Sequence, residues 1–265
     1  MAVFIGTSGW QYASWRGAFY PEKLAQRQWL EFYAAQFQVV EVNNTFYQLP
    51  KPESVRRWAA ATPPDFIFVT KMNRFLTHIR RLREPEPTVE RYFDVMRELG
   101  PKLGPVLLQL PPNLEFDPEA LRGTLSTMPR DVRVAVEFRH ASWSTPATRD
   151  LLAEHGAAPC VADRKNEVVT PSWRTADWGY VRLHQGTGSP SSCYTPEAMQ
   201  AWAQRIADEW DEGSDVFVFF NNDAHCCAVR DAATLAGALT DLGRATTRAP
   251  SLDEVRVARD SRQSR

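Results

Sequence analysis

Cysteine is scarce in this chain: Cys160, Cys193, Cys226 and Cys227 show no C-x-x-C spacing. Four such residues are too few for a disulfide scaffold, and reduced thiols are the expectation. Long apolar runs are absent as well, since none approaches the roughly 20 residues that a bilayer-spanning helix needs. Neither sign of charge is in excess, because 31 Lys and Arg meet 32 Asp and Glu for a formal charge of −1. That balance argues against a globally basic nucleic-acid binder and says nothing about a local patch. A Gly-rich nucleotide loop is missing, and the stretch Thr7-Ser-Gly-Trp10 lacks the flanking glycines of a nucleophile elbow, so no Ser/His/Asp triad declares itself. The chain enters a strand pattern at Ala2 to Ile5 without a basic leader or cleavage site. A soluble cytoplasmic protein with no membrane contact is expected.

What is present is alternation. Short β-rich runs begin at Val3, Val39, Phe66, Val106, Arg133, Pro159, Tyr180 and Val216, and helical patterns separate most of them. Val89, Phe93, Met96 and Leu99, for example, repeat at helical spacing. Between the sixth and seventh runs no helix is evident, and the stretch with Trp173 and Trp178 reads as irregular. Eight β-units in about 240 residues, without a composition break, fit a closed (β/α)8 TIM barrel of the α/β class better than an open doubly wound sheet. One barrel domain is expected over residues 1–243, followed by a disordered Arg-, Ser- and Thr-rich tail, 244–265.

The stretch Arg133-Val-Ala-Val-Glu-Phe-Arg-His140 alternates at period two, so it reads as a central strand with Glu137 and Arg139 on one face near its C-terminal end. Further motifs are Thr7-Ser-Gly-Trp10, Glu41-Val-Asn-Asn-Thr-Phe-Tyr47, Leu108-Gln-Leu-Pro-Pro112, Cys160-Val-Ala-Asp163, Tyr180-Val-Arg-Leu-His184 and Phe219-Phe-Asn-Asn-Asp-Ala-His225. Together they resemble the domain-of-unknown-function family 72, the YecE-like proteins, over nearly the whole chain to about Leu242. The resemblance implies a TIM barrel and brings no activity with it. Gln185 and Cys226 stand where the family pattern implies glycine, which bears on local loop shape.

In a TIM barrel the C-terminal strand ends hold the site. Strand alternation places Thr7, Glu41, Asn43, Lys71, Gln109, Glu137, Arg139, Asp163, Arg182, His184 and Asn221 around one mouth, with Trp10 and Asn222 in the adjoining loops. Glu41 or Glu137 suits a general base, Asp163 its orienting partner or the acid, and His184 a proton shuttle near neutral pH. Lys71, Arg139 and Arg182 suit a small anionic ligand, whether phosphate, carboxylate or developing enolate. Thr7, Trp10, Asn43, Gln109, Asn221 and Asn222 complete the ligand-binding candidates. Glu41, Glu137, Asp163 and His184 are also candidates for a single divalent metal ion, whose charge the neighbouring cations would oppose. A purely structural polar network is the competing reading.

Three other features bear on ligands. His225-Cys226-Cys227 lacks the partner pair of a structural zinc site, so buried thiols are expected there. The loop 74–83 carries Arg74, His78, Arg80, Arg81 and Arg83, either as a solvated charge run or as a phosphate contact. Trp10, Tyr12, Trp15, Phe46, Tyr47, Trp143 and Tyr194 suit stacking on a sugar or nucleobase, or packing of the loops. The leading expectation is an enzyme, a hydrolase or isomerase, acting on a small phosphorylated, sugar-like or nucleotide-like ligand by carboxylate and His chemistry. A nucleic-acid-binding or nucleic-acid-processing protein and a non-catalytic ligand-sensing or partner-binding barrel are the alternatives.

Overall fold

Each β-rich run of the sequence forms a strand, with its ends displaced by a few residues at most. The computed structural model describes residues 1–256. Its strands are β1 (Val3–Thr7), β2 (Val39–Val42), β3 (Ile67–Lys71), β4 (Leu103–Gln109), β5 (Val134–Glu137), β6 (Ala158–Arg164), β7 (Glu167–Val168), β8 (Gly179–Leu183) and β9 (Val216–Phe220). They lie in the order β1-β9-β8-β6-β5-β4-β3-β2, and eight parallel strands with helices between them make a nearly closed (β/α)8 barrel. β7 is the exception: it pairs antiparallel with β6 and fills part of the segment expected to be irregular.

The helices are α1 (Trp29–Gln36), α2 (Asn44–Tyr47), α3 (Pro52–Ala60), α4 (Glu86–Met96), α5 (Pro118–Thr127), α6 (Pro146–Glu154), α7 (Pro196–Glu209) and α8 (Cys227–Asp241). Three of them start in the same way. Asp117, Thr145 and Thr195 each accept a backbone N–H from three residues on, and a proline comes immediately after. Proline fits there because the first N–H of a helix has no helical acceptor to lose. Among the described residues no helix is long and apolar enough to cross a membrane.

Contacts gather the chain into two compact units, one from Met1–Val40, Ala162–Val169 and Val181 onward, the other from Glu41–Val161 and Thr170–Tyr180. In the first unit β1 pairs with β9 along its whole length, from Val3 opposite Val216 to Thr7 opposite Phe220. A Cβ at Gly6 would come within 2.3 Å of the Val39 carbonyl oxygen, so only glycine lets β1 lie this close to the start of β2. The Tyr33 hydroxyl of α1 spans the same gap, accepting from Thr7 N–H at 3.0 Å and lying 3.1 Å from Val39 O.

Beyond Gly243, where a disordered tail is expected, the chain instead stays bonded to the first unit through residue 256. Val3 N–H donates to Ala245 O and Thr247 N–H to Val3 O, both at 2.9 Å, and Arg256 N–H donates to Ala18 O. The reason is the edge of β1, whose backbone groups need partners that composition alone does not reveal. The remainder of that expectation, residues 257–265, lies outside the described residues.

The expectation of reduced thiols is also corrected, for two of the four cysteines. Cys193 and Cys227 form a disulfide with Cα atoms 4.8 Å apart, while Cys160 and Cys226 are free and buried. The two partners are separated by 34 residues, and only the meeting of α8 with the loop before α7 makes them neighbours. Asp231 of α8 ties down the same loop: it accepts from Tyr194 N–H at 2.8 Å and from Asn222 Nδ2 at 2.7 Å.

In the second unit β3, β4 and β5 run in register, with Lys71 opposite Leu107 and Gln109 opposite Glu137. The loop after β3 is not wholly irregular, because Phe75–Ile79 make a π-helical turn.

Candidate functional site

Register explains why three polar side chains of the second unit meet. Lys71 is level with Leu107, which shares a face with Gln109 two residues on, and Gln109 is level with Glu137. The result is a chain of hydrogen bonds. Lys71 Nζ donates to Gln109 Oε1 at 2.8 Å, and Gln109 Nε2 donates to both oxygens of Glu137 at 3.0 Å. Arg139 Nε then donates to Glu137 Oε1 at 2.8 Å. Glu137 is 2% and Lys71 7% exposed, whereas the Arg139 side chain is 36% exposed. The buried carboxylate therefore has donors on every side, and the cation it steers reaches water. Nε is the only Arg139 atom in a hydrogen bond or ion pair among the described residues, which leaves both Nη groups for solvent or a ligand.

Lys71 is held from below and above. Its backbone N–H donates to Thr45 Oγ1 at 3.2 Å, and its ammonium lies 4.1 Å from the centre of the Phe46 ring. Phe46 in turn meets His78 edge-on at 4.9 Å. Partial burial pushes the His78 pKa down to about 4, and Lys71, Arg74 and Arg139 add to that by disfavouring a fourth positive charge. The ring is thus neutral at physiological pH and sits in a cationic field.

This shift makes stability depend on pH. The folded pKa lies below the ordinary 6.5, so unfolding takes up a proton between about 6.5 and 4, and stability falls as pH drops through that window. In urea unfolding at about pH 7 and pH 4.5, the parent is expected to lose more stability than His78→Gln. Equal losses would remove His78 from the cationic field.

Glu41 is fully buried and its Oε2 accepts from the Tyr180 hydroxyl at 2.6 Å. Asn43 comes next at the end of β2, just before α2. In the first unit Arg182 is buried at 1% exposure, and His184 Nδ1 lies 3.0 Å from Asn221 Nδ2. The amide donates when Nδ1 carries no proton.

Four expected site residues have other partners. The Thr7 hydroxyl lies 2.9 Å from Tyr33 OH, Trp10 is buried with its carbonyl accepting from Tyr20 OH at 2.6 Å, and Asn222 is bonded to Asp231 and to Ser192 O. Asp163 accepts from the Tyr194 hydroxyl, and burial raises its carboxyl above the usual range. Register accounts for Asp163. Val136 pairs with Pro159, so Glu137 comes level with Cys160, and Asp163 three residues further falls on the opposite face of β6. The four candidate metal ligands are accordingly not gathered: among the described residues no group of three or more His, Cys, Asp or Glu is placed to hold a metal ion.

The model of the family described as "Protein of unknown function DUF72" matches residues 4–254. The chain belongs to the DUF72 family. This DUF72 chain is 28% identical to UPF0759 protein YecE of Escherichia coli (strain K12) over 246 residues, covering 83% of the chain and 86% of YecE. It is also 28% identical to UPF0759 protein YunF of Bacillus subtilis (strain 168) over 255 residues, covering 84% and 89%. A crystal structure of a DUF72 family protein from Thermotoga maritima superposes with a TM-score of 0.77 at 28% identity, covering 91% of this chain and 100% of that one.

Sequence reasoning missed two residues of this DUF72 protein that hold its polar groups. Tyr180, the donor to Glu41, carried a signal, since it lies two residues before Arg182 on the same face of β8. Asp231 carried none, because a lone carboxylate within a helical pattern reads as solvent-facing.

Proposed function

We propose that this DUF72 protein is an enzyme acting on a small phosphorylated, sugar-like or nucleotide-like ligand, with Arg139 as the anion-binding group. The observation that carries the reading is the Arg139 guanidinium, aimed through Nε by a buried carboxylate with both Nη groups open. A guanidinium in that state offers a planar pair of donors matched to two oxygens of a phosphate or carboxylate. Gln109 links the Lys71 ammonium to the carboxylate that aims Arg139, so the lysine belongs to the same hydrogen-bonded row. Glu137 is assigned to orienting Arg139. Glu41, with Tyr180 as its hydrogen-bond donor, is assigned to proton transfer.

Calorimetric titration with inorganic phosphate tests the anion site. Arg139→Gln is expected to weaken binding roughly tenfold to a hundredfold, from the loss of a charged hydrogen-bond pair. Glu137→Gln is expected to weaken it less, because the guanidinium remains and only its aim is lost. Phosphate bound equally by the parent and Arg139→Gln would overturn the reading. The nucleic-acid alternative has less support: in the basic loop Arg80 pairs with Glu84, and Arg81 donates to Asn113 O at 2.7 Å.

A further inference from the structure

A groove of about 470 Å³ lies in the second unit, lined by Tyr47, Gln48, Leu49, Phe75, Thr88 and Arg91 among others. Its size falls in the range of roughly 300–1,000 Å³ typical of small-molecule sites. Two of its rings are left in water where their neighbours are not: Tyr47 is 70% and Phe75 47% exposed, while Phe46 and Leu76 beside them are buried. The Tyr47 ring and the Phe75 main chain are nevertheless held. Tyr47 packs edge-on against Phe46 at 5.0 Å, and Asn73 Oδ1 accepts from Phe75 N–H at 2.9 Å while Asn73 Nδ2 donates to Thr45 O at 3.0 Å. The Tyr92 hydroxyl, bonded to Thr70 at 2.7 Å, fixes another part of the wall.

Three polar side chains of the groove are uncommitted. Among the described residues the side chains of Gln48, Thr88 and Arg91 make no hydrogen bond or ion pair, and the described lining contains no carboxylate. Two exposed aromatic faces, an amide able to both donate and accept, and a cation with no ion pair among the described residues form one recognition pattern. The rings take the flat face of a heteroaromatic base, the amide reads its edge, and the guanidinium takes an anion attached to it.

We propose that this groove is a binding site for a nucleoside monophosphate, with Tyr47 and Phe75 contacting the base and Arg91 the phosphate. The site is argued from its own residues and does not depend on the role given to Arg139.

Calorimetric titration of the full-length protein with adenosine 5′-monophosphate, adenosine and inorganic phosphate tests it, each against the parent, Tyr47→Ala, Arg91→Gln and Arg139→Gln. Tyr47 and Arg91 are exposed side chains, and equal melting temperatures establish that the variants fold. The parent is expected to bind the monophosphate more tightly than either fragment. Tyr47→Ala should weaken both the monophosphate and adenosine roughly tenfold, as loss of a stacking ring does. Arg91→Gln should weaken the monophosphate roughly tenfold and leave adenosine unchanged.

Arg139→Gln should weaken inorganic phosphate, and should weaken the monophosphate far less than Arg91→Gln does. A monophosphate bound no more tightly than phosphate, or unaffected by Tyr47→Ala, overturns the proposal. Loss of the monophosphate on Arg139→Gln alone overturns it too, and leaves the anion site standing. Loss on Tyr47→Ala and Arg91→Gln, with phosphate binding indifferent to Arg139→Gln, supports the groove and sinks the Arg139 reading. A short single-stranded oligonucleotide that outcompetes the monophosphate with steep salt dependence would replace the small ligand by nucleic acid.

Discussion

Asp231→Ala is expected to lose about 3–5 kcal/mol of folding stability, the scale for stripping a buried charge and its donors of their partner. Asp231 is 1% exposed. Its Oδ2 accepts from Tyr194 N–H and Asn222 Nδ2, and its Oδ1 accepts from Arg230 Nε at 2.9 Å and Nη2 at 2.7 Å. Alanine would leave the Tyr194 N–H without an acceptor, and a buried donor so abandoned costs about 1–3 kcal/mol by itself. Asn222 keeps one bond, to Ser192 O at 2.8 Å, and Arg230, with a side chain 23% exposed, can turn to water. Asp231→Asn keeps the shape and one acceptor oxygen, so its loss should be smaller. Urea unfolding monitored by circular dichroism decides this. A loss below about 1 kcal/mol for alanine would show that the loop before α7 is held by something else.

Opening the Cys193–Cys227 bridge should cost roughly 3–4 kcal/mol on the chain-entropy account, given a closed loop of 34 residues. Both sulfurs are buried, so the paired Ser substitution adds the burden of two buried hydroxyls, and the paired Ala substitution is the cleaner comparison. The bridge and Asp231 restrain the same loop, one through Cys193 and the other through Tyr194 N–H. Their losses should therefore fall short of additive in the triple variant, because a loop already released has less left to lose. Unfolding with and without reductant measures the first quantity, and a double-mutant cycle the second. Unchanged stability on full reduction would sink the expectation.

What the sequence could reveal was governed by distance along the chain. Strand identity and the meeting of Lys71, Gln109 and Glu137 come from two-residue alternation within short runs, and those runs are in register. Asp163 was placed at the mouth by alternation alone, without the β5–β6 register, which puts Cys160 and not Asp163 on the face of Glu137, while β6 runs on into a hairpin. Thr7 failed differently, since the Tyr33 hydroxyl of α1 competes for it. The disulfide, Asp231 and the run 244–256 depend on contacts between segments far apart in sequence, for which composition and periodicity hold no signal. The half-exposed Arg139 side chain lies between these extremes: the E-x-R spacing was legible, the exposure of its end was not.

The clasp on β1 has a consequence for the order in which the protein can be made. Among the described strands β1 comes earliest in the chain, yet its ladder partner β9 and the segment around Ala245 to Thr247 come after all the other strands. Until β9 has been synthesised, Val3 to Thr7 lack their ladder partner. The continuous stretch from Glu41 to Val161 already contains β3, β4 and β5 with their registers complete. The second unit can consequently collapse on the nascent chain before β9 exists, and the first cannot be completed until β9 has been made. A truncation that removes residues from Ala245 onward would strand β1 at its outset, however far from any ligand those residues lie.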